Sequence, residues 1–197
     1  MTGARSFRRV CVFCGSNTGN DPAFRDAAID LGRTLAERDI ELVYGGGKIG
    51  LMGIVADAAL AAGGRVIGVI PDKLQALEVG HDGLSELFVV ESMHARKAMM
   101  AQLSDAFIAM PGGWGTFEEV FEVTTWTQLN YHKKPVCLFN VSGYYDQLIA
   151  FVRHAVESGF IREIHQDLMA AASTPDEVLE RLSRAEIPEL PQWIRKP

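Results

Sequence analysis

Two carboxylates, Glu118 and Glu119, follow at once on a glycine-rich run in "MPGGWGTFEE", residues 110–119, and two cations, Arg96 and Lys97, stand side by side upstream in "SMHARKAMM". The glycines Gly112, Gly113 and Gly115 open backbone conformations closed to other residues and remove the side chains that would hold an anion away. Thr116 is placed to cap a helix over "TFEEVFEVTTW", whose free first-turn N–H groups and positive dipole end make a phosphate site. The chemistry these types and spacings serve is the anchoring of a phosphorylated ligand with a carboxylate close behind it. A plainer reading competes, because acidic residues near a helix start gain about 0.3–1 kcal/mol each from the dipole alone.

Arg96 and Lys97 alter that balance. They open a helix directly after the apolar run "LFVV", and basic residues near a helix N-terminus oppose the dipole, so their placement suggests a task. Successive helical residues diverge by about 100°, so one of the two points into a crevice while the other flanks it. For Lys97 the competing reading is a solvated surface lysine.

The elements that must position these groups are legible as alternation. Short apolar runs rich in β-branched and aromatic residues occur at 10–14, 40–44, 65–70, 87–90, 106–110, 135–139 and, more weakly, 168–172, with longer amphipathic stretches between them. That pattern predicts βαβ units and an α/β, Rossmann-like, doubly wound parallel sheet of about seven strands with helices on both faces. "DPAFRDAAIDLGRTLAERD" opens on Asp21-Pro22 as cap and first turn. "IGLMGIVADAALAAGG" ends on Gly63-Gly64 as a stop. Length and the absence of a repeat or linker predict one nucleotide-binding domain over 1–197, with 1–7 and the proline-bearing 187–197 as surface tails.

Glycine clusters follow three of these strands: "CGSNTG" at 14–19, "YGGGKIGLMG" at 44–53 and "PGGWGT" at 111–116. Ligands in open α/β sheets bind outside the carboxyl ends of the strands, so the three clusters predict one shared crevice. Ser16, Gly46, Gly47 and Met52 are candidates to line it, Met52 being equally a core residue. None of the clusters fits a dinucleotide fingerprint or a P-loop, which argues against a redox dinucleotide or ATP.

Composition excludes other classes. The net charge of −6 without a basic stripe excludes a nucleic acid polymer as partner. No stretch approaches membrane-spanning length, and the apolar run after "MTGARSFRR" is too short for a signal peptide's core. Cys11, Cys14 and Cys137 are too few for a disulfide scaffold and fit a cytoplasmic protein. Cys11 and Cys14 form C-x-x-C inside a strand, which puts them on opposite faces and argues against redox or zinc chemistry. The five histidines, His81, His94, His132, His154 and His165, lack metal-ligand spacing and read as structural or solvated, so neither metal nor cofactor is implied.

"PGGWGTFEE" together with "MHARKAM" resembles the LOG family, the cytokinin-activating phosphoribohydrolases long mislabelled as lysine decarboxylases, with P-G-G-x-G-T-x-x-E at Pro111–Glu119 and M-x-x-R-K-x-x-M at Met93–Met100. "VFCGSN", "LVYGGGKIGLMG" and "VIGVIP" extend the likeness over nearly the whole chain. No lysine lies in a recognisable Schiff-base context, so the decarboxylase label gains nothing from these residues. The resemblance implies hydrolysis of the N-glycosidic bond of a nucleoside 5′-monophosphate. Arg96 and Glu119 would then be catalytic. Glu78, Arg96, Lys97, Thr125 and the run Gly113, Trp114, Gly115, Thr116, Phe117, Glu118, Glu119 would contact substrate, in a homodimer. For Glu78 an exposed loop acid, and for Thr125 a hydroxyl satisfying its own helix, remain open. On the same scaffold a carrier of molybdenum cofactor or a nucleotide-sensing module is the alternative. The carrier would not need the Arg96/Glu119 pair, and the sensor would bind AMP without turnover.

Overall fold

The computed structural model describes residues 5–78 and 80–189, leaving aside the side chains of 76–78. Seven parallel strands form one sheet: β1 (Arg9–Phe13), β2 (Glu41–Tyr44), β3 (Val66–Pro71), β4 (Glu86–Val90), β5 (Ala106–Ala109), β6 (Val136–Phe139) and β7 (Met169–Ala172). Their order is β4-β3-β2-β1-β5-β6-β7. Chain order therefore runs outward one way from β1 to β4 and the other way from β5 to β7. The reversal lies between β1 and β5, which pair through Val12 and Ile108, and this is the switch point at which such sheets bind ligands.

Helices α1 (Pro22–Glu37), α2 (Gly50–Ala61), α3 (Asp72–Glu78), α4 (Met93–Leu103), α5 (Trp114–Gln128), α6 (Asp146–Glu157) and α7 (Pro175–Arg184) follow the strands in turn. Two buried clusters sandwich the sheet. One gathers Val10, Val12 and Cys14 with α1, α2 and α7, and the other gathers Cys11 and Phe13 with α4 and α5. The split follows from the period-2 alternation of a strand, and it places Cys11 and Cys14 on opposite faces, as expected. Near-continuous apolar strands are what burial on both faces demands.

Helix α1 starts as its sequence dictates. The Asp21 carboxylate accepts from the Ala23 N–H at 2.9 Å, and Pro22 needs no donor partner in the first turn. It crosses α2 closely at Gly32, where a Cβ would overlap the Val55 carbonyl. At the amino end, the Arg5 N–H bonds to Ser183 O and Phe7 packs against the core.

Candidate functional site

The three glycine clusters meet. The Gly15 N–H donates to Pro111 O at 3.0 Å, and Gly15 O accepts from the Leu51 N–H at 3.0 Å. The loop after β1 is thus stitched to the starts of both α2 and α5. Only glycine allows these approaches: a side chain at Gly50, which has φ +62°, would overlap the Ser16 carbonyl, and one at Gly112 would overlap Thr116. Ser16 itself is exposed at the rim.

Helix α5 begins earlier than the sequence suggests. Its N-cap is Gly113 and no side chain caps it, so Thr116 is not the cap; it sits in the first turn, 3% exposed, packed against Gly112. The N–H groups of Trp114, Gly115 and Thr116 accordingly have no intrahelical acceptor. Glu118 and Glu119 fall in the second turn, beyond the first-turn positions that the plain dipole reading requires. Glu119 is buried, at 9% exposure, whereas Glu118 pairs with Lys97.

The adjacent cations on α4 are both buried, at 6% each, so the solvated reading of Lys97 fails. Lys97 pairs with Glu118 and, at 3.1 Å, with Glu122, tying α4 to α5. Burial works against its charge, but the two carboxylates outweigh it and raise its pKa. Arg96 turns to the strand ends, where Nε donates to Val69 O at 3.1 Å and Nη2 to Gly45 O at 2.8 Å. Glycine at 45 leaves the space that Nη2 occupies, since a Cβ there would overlap it. Burial pushes the Cys14 thiol up, the charge on Glu119 adds to the rise and Arg96 counters it. Arg96 and Glu119 thus both act on the carboxyl end of β1, and the Cys14 thiol stays protonated and inert.

Gly46 and Gly47 are buried in the floor, Gly46 with φ +76°. Gly47 bridges to Gly80, and Gly46 O accepts from the His81 N–H at 3.3 Å. His81 is fixed by Asp57 at 2.8 Å, a structural role. Met52 is buried with its Sδ toward Gly45, joining core and crevice. Thr125 is not brought to the strand ends: it is exposed, about 18 Å along α5 from Gly113, and its hydroxyl donates to Phe121 O at 2.7 Å. The Glu78 side chain lies outside the described residues.

Beside the α5 start runs an apolar hollow of about 530 Å³, lined by Trp114, Phe117, Phe121, Tyr144, Tyr145 and Leu148 among others. Trp114 and Phe117 meet edge to face at 6.3 Å. A larger hollow, about 880 Å³, lies against β7 and includes none of the glycine-loop residues. The residue types gave no sign of Gly45 as the seat of Arg96, nor of Tyr144 and Tyr145, whose hydroxyls donate to Gly112 O and, at 2.7 Å, to Met110 O.

Comparison with known proteins bears on this geometry. A family model described as "Possible lysine decarboxylase" matches residues 52–182. The chain is 51% identical over 176 residues to the cytokinin riboside 5′-monophosphate phosphoribohydrolase LOG3 of Arabidopsis thaliana, covering 89% of this chain and 82% of that one. It is 48% identical over 190 residues to LOG7 of the same plant, covering 96% and 87%. Among solved structures, the molybdenum cofactor carrier protein of Chlamydomonas reinhardtii matches with TM-score 0.68 at 23% identity, covering 89% of this chain and 95% of that one. The molybdenum cofactor binding protein of Rippkaea orientalis matches with TM-score 0.66 at 25% identity, covering 89% and 94%.

Proposed function

The chain belongs to the LOG family of phosphoribohydrolases, and from that premise we propose that it hydrolyses the N-glycosidic bond of cytokinin riboside 5′-monophosphates, and of AMP, to free base and ribose 5-phosphate. The observation that carries this reading is an uncapped helix start with a buried carboxylate, Glu119, one turn behind it and a buried guanidinium, Arg96, bonded at the neighbouring ends of β2 and β3.

The phosphate caps α5, received by the N–H groups of Gly113 to Thr116 in place of the missing side-chain cap. Binding energy gathered there holds the ribose for reaction at its other end. Glu119 faces C1′, where it stabilises the oxocarbenium-like centre or orients the attacking water. The C1′–N bond breaks, water supplies the new C1′–O bond, and its proton leaves with the base. Arg96 keeps its proton, and with two donors spent on Val69 O and Gly45 O it serves as a fixed positive charge rather than an acid. Lys97 is occupied by Glu118 and Glu122 and holds α5 in place. The apolar hollow at Trp114 and Phe117 takes an isoprenoid substituent on the base.

The carrier reading has weaker support, since identity to the molybdenum cofactor proteins is 23–25% against 48–51% to the hydrolases. The protein acts as a cytoplasmic homodimer in this account. Phe121, Leu129, Tyr131, Phe151 and Phe160 are exposed on and around α5 and α6, and α6 has no fully buried residue. That apolar face is available to a second copy, which would bring Thr125 toward the partner's crevice.

The test is chromatography of products after incubation with AMP and, separately, N6-isopentenyl-AMP, with Glu119→Ala beside the wild type. Release of base and ribose 5-phosphate that disappears in the variant is the expected result. Intact nucleotides under conditions where they bind would overturn the hydrolase and favour the carrier.

A further inference from the structure

Four consecutive carbonyls lead into the start of α5, and each has a donor. Met110 O accepts from the Tyr145 hydroxyl at 2.7 Å, Pro111 O from the Gly15 N–H and Gly113 O from the Phe117 N–H, both at 3.0 Å, and Gly112 O from the Tyr144 hydroxyl. Two of these donors are backbone groups fixed by the β1 loop and by the helix itself. The other two are neighbouring side chains from the segment after β6, outside the glycine loops altogether.

Peptide planarity turns this into a statement about the opposite side of the loop. In a trans peptide the C=O of one residue and the N–H of the next lie in one plane and point in opposite directions. Pinning Gly112 O therefore aims the Gly113 N–H the other way, and pinning Met110 O fixes the peptide plane that leads into Pro111. We infer that Tyr144 is a positioning residue for the phosphate site: by holding the Gly112 carbonyl it turns the Gly113 N–H toward the 5′-phosphate, while Tyr145, whose acceptor Met110 O precedes a proline without an N–H, anchors the root of the loop. The inference rests on the phosphate assignment above.

The segment that carries the pair is built to hold it. Ser142 and Gly143 both have positive φ, +51° and +71°, which folds the chain back sharply after β6. The Tyr145 N–H is held by Asn140 Oδ1 at 2.7 Å, and Asn140 Nδ2 by Asp146 at 2.7 Å. The rings of Tyr144 and Tyr145 meet edge to face at 4.9 Å, and Tyr144 meets Phe24 of α1 in the same manner at 5.7 Å. The hydroxyls thus arrive on rings whose directions are already set, so little side-chain freedom is lost when they bond. The ring packing accounts for stability and the hydroxyls for the aim of the loop, and phenylalanine separates the two.

Calorimetric titration of wild type, Tyr144→Phe and Tyr145→Phe with ribose 5-phosphate and with adenosine tests this, alongside turnover of AMP by the wild type. The expected result is ribose 5-phosphate affinity about tenfold weaker in Tyr144→Phe, the loss of one well-aimed hydrogen bond, and a smaller loss in Tyr145→Phe, with adenosine affinity unchanged. Equal weakening toward both ligands would reduce the tyrosines to general structural support and overturn the inference, as would no change toward either. Tyr145 is buried and its variant is the more exposed to folding defects; Tyr144→Phe, at the surface, then decides alone. A wild type that binds ribose 5-phosphate but leaves AMP intact sinks the hydrolase reading, while the affinity comparison still judges the tyrosines.

Discussion

Helices α1 and α5 leave the two central strands of the sheet at the same end, and they begin in opposite ways. Helix α1 closes on itself, with the Asp21 carboxylate filling its first N–H group and Pro22 withholding another. Helix α5 begins at Gly113 with no side chain over its end. Elsewhere Ser92 and Thr174 cap α4 and α7 in the manner of Asp21, while α2 begins at Ile49 without a side-chain cap. Helix α6 also begins, at Tyr145, without a side-chain cap, but of these open starts it is α2 and α5 that are stitched together through Gly15. In the function proposed above, the cap that α5 lacks leaves its place to the ligand, whereas the capped start of α1 serves the fold alone. The same contrast divides the adjacent cations: Lys97 spends its charge holding α5, and Arg96 spends its donors at the strand ends beneath the open starts.

Breaking the open side should cost activity and leave the fold. Gly45→Ala places a methyl group on the Arg96 Nη2 atom, which can swing away because it is the tip of a long side chain. Turnover of AMP should fall on the order of 10²-fold, the usual cost of a misplaced electrostatic group, with the thermal midpoint little changed; steady-state kinetics and a melt check both. Lys97→Met strikes the support of the open side. It strands Glu122 and loosens α5, so about 2 kcal/mol of stability should go, together with activity, in a denaturant titration run beside the kinetics.

Breaking the closed side should do the reverse. Asp21→Ala removes the α1 cap at a cost of about 1 kcal/mol, a fall of about 3 °C in the midpoint, while KM for AMP stays where it was. A smaller effect belongs to the far end of α5. Burial, with Lys134 adding to it, depresses His132 from its ordinary 6.5 to about 4. Between those values the unfolded chain takes up a proton that the folded one refuses, so stability is present above pH 6.5 and declines as pH falls toward 4. Melts of His132→Asn across that range should show a flatter decline than the wild type.

The fold was largely legible because each strand carries its own signal, a short β-branched or aromatic run, and the reversal of strand order leaves glycines at the strand ends. The start of α5 was misplaced for a physical reason. Gly115 is a poor helix former, so local propensity defers the start to Thr116, whereas the contacts that hold the loop from outside, at Pro111 O and Gly112 O, set it at Trp114. Arg96 stood out because its charge opposes the dipole, and Lys97 for the same reason. The partners of Lys97, Glu118 and Glu122, lie in another helix, and no local pattern announces that pairing. Gly45 and the Tyr144/Tyr145 pair escape notice on similar grounds, since one is a space and the others are hydroxyls reaching across from β6. Thr125 carries a motif match, and its surroundings in one subunit give it only its own helix.

The most direct test of the open-helix account is to close it. Gly113 has no atom within 4 Å of where a Cβ would stand, so Gly113→Asp fits, and its carboxylate would occupy the end of α5 as Asp21 occupies that of α1. Titration of this variant with ribose 5-phosphate should show binding weakened on the order of 10²-fold or more, while the thermal midpoint holds or rises with the added cap. Undiminished binding in a folded Gly113→Asp protein would mean that the phosphate sits elsewhere and would contradict the account.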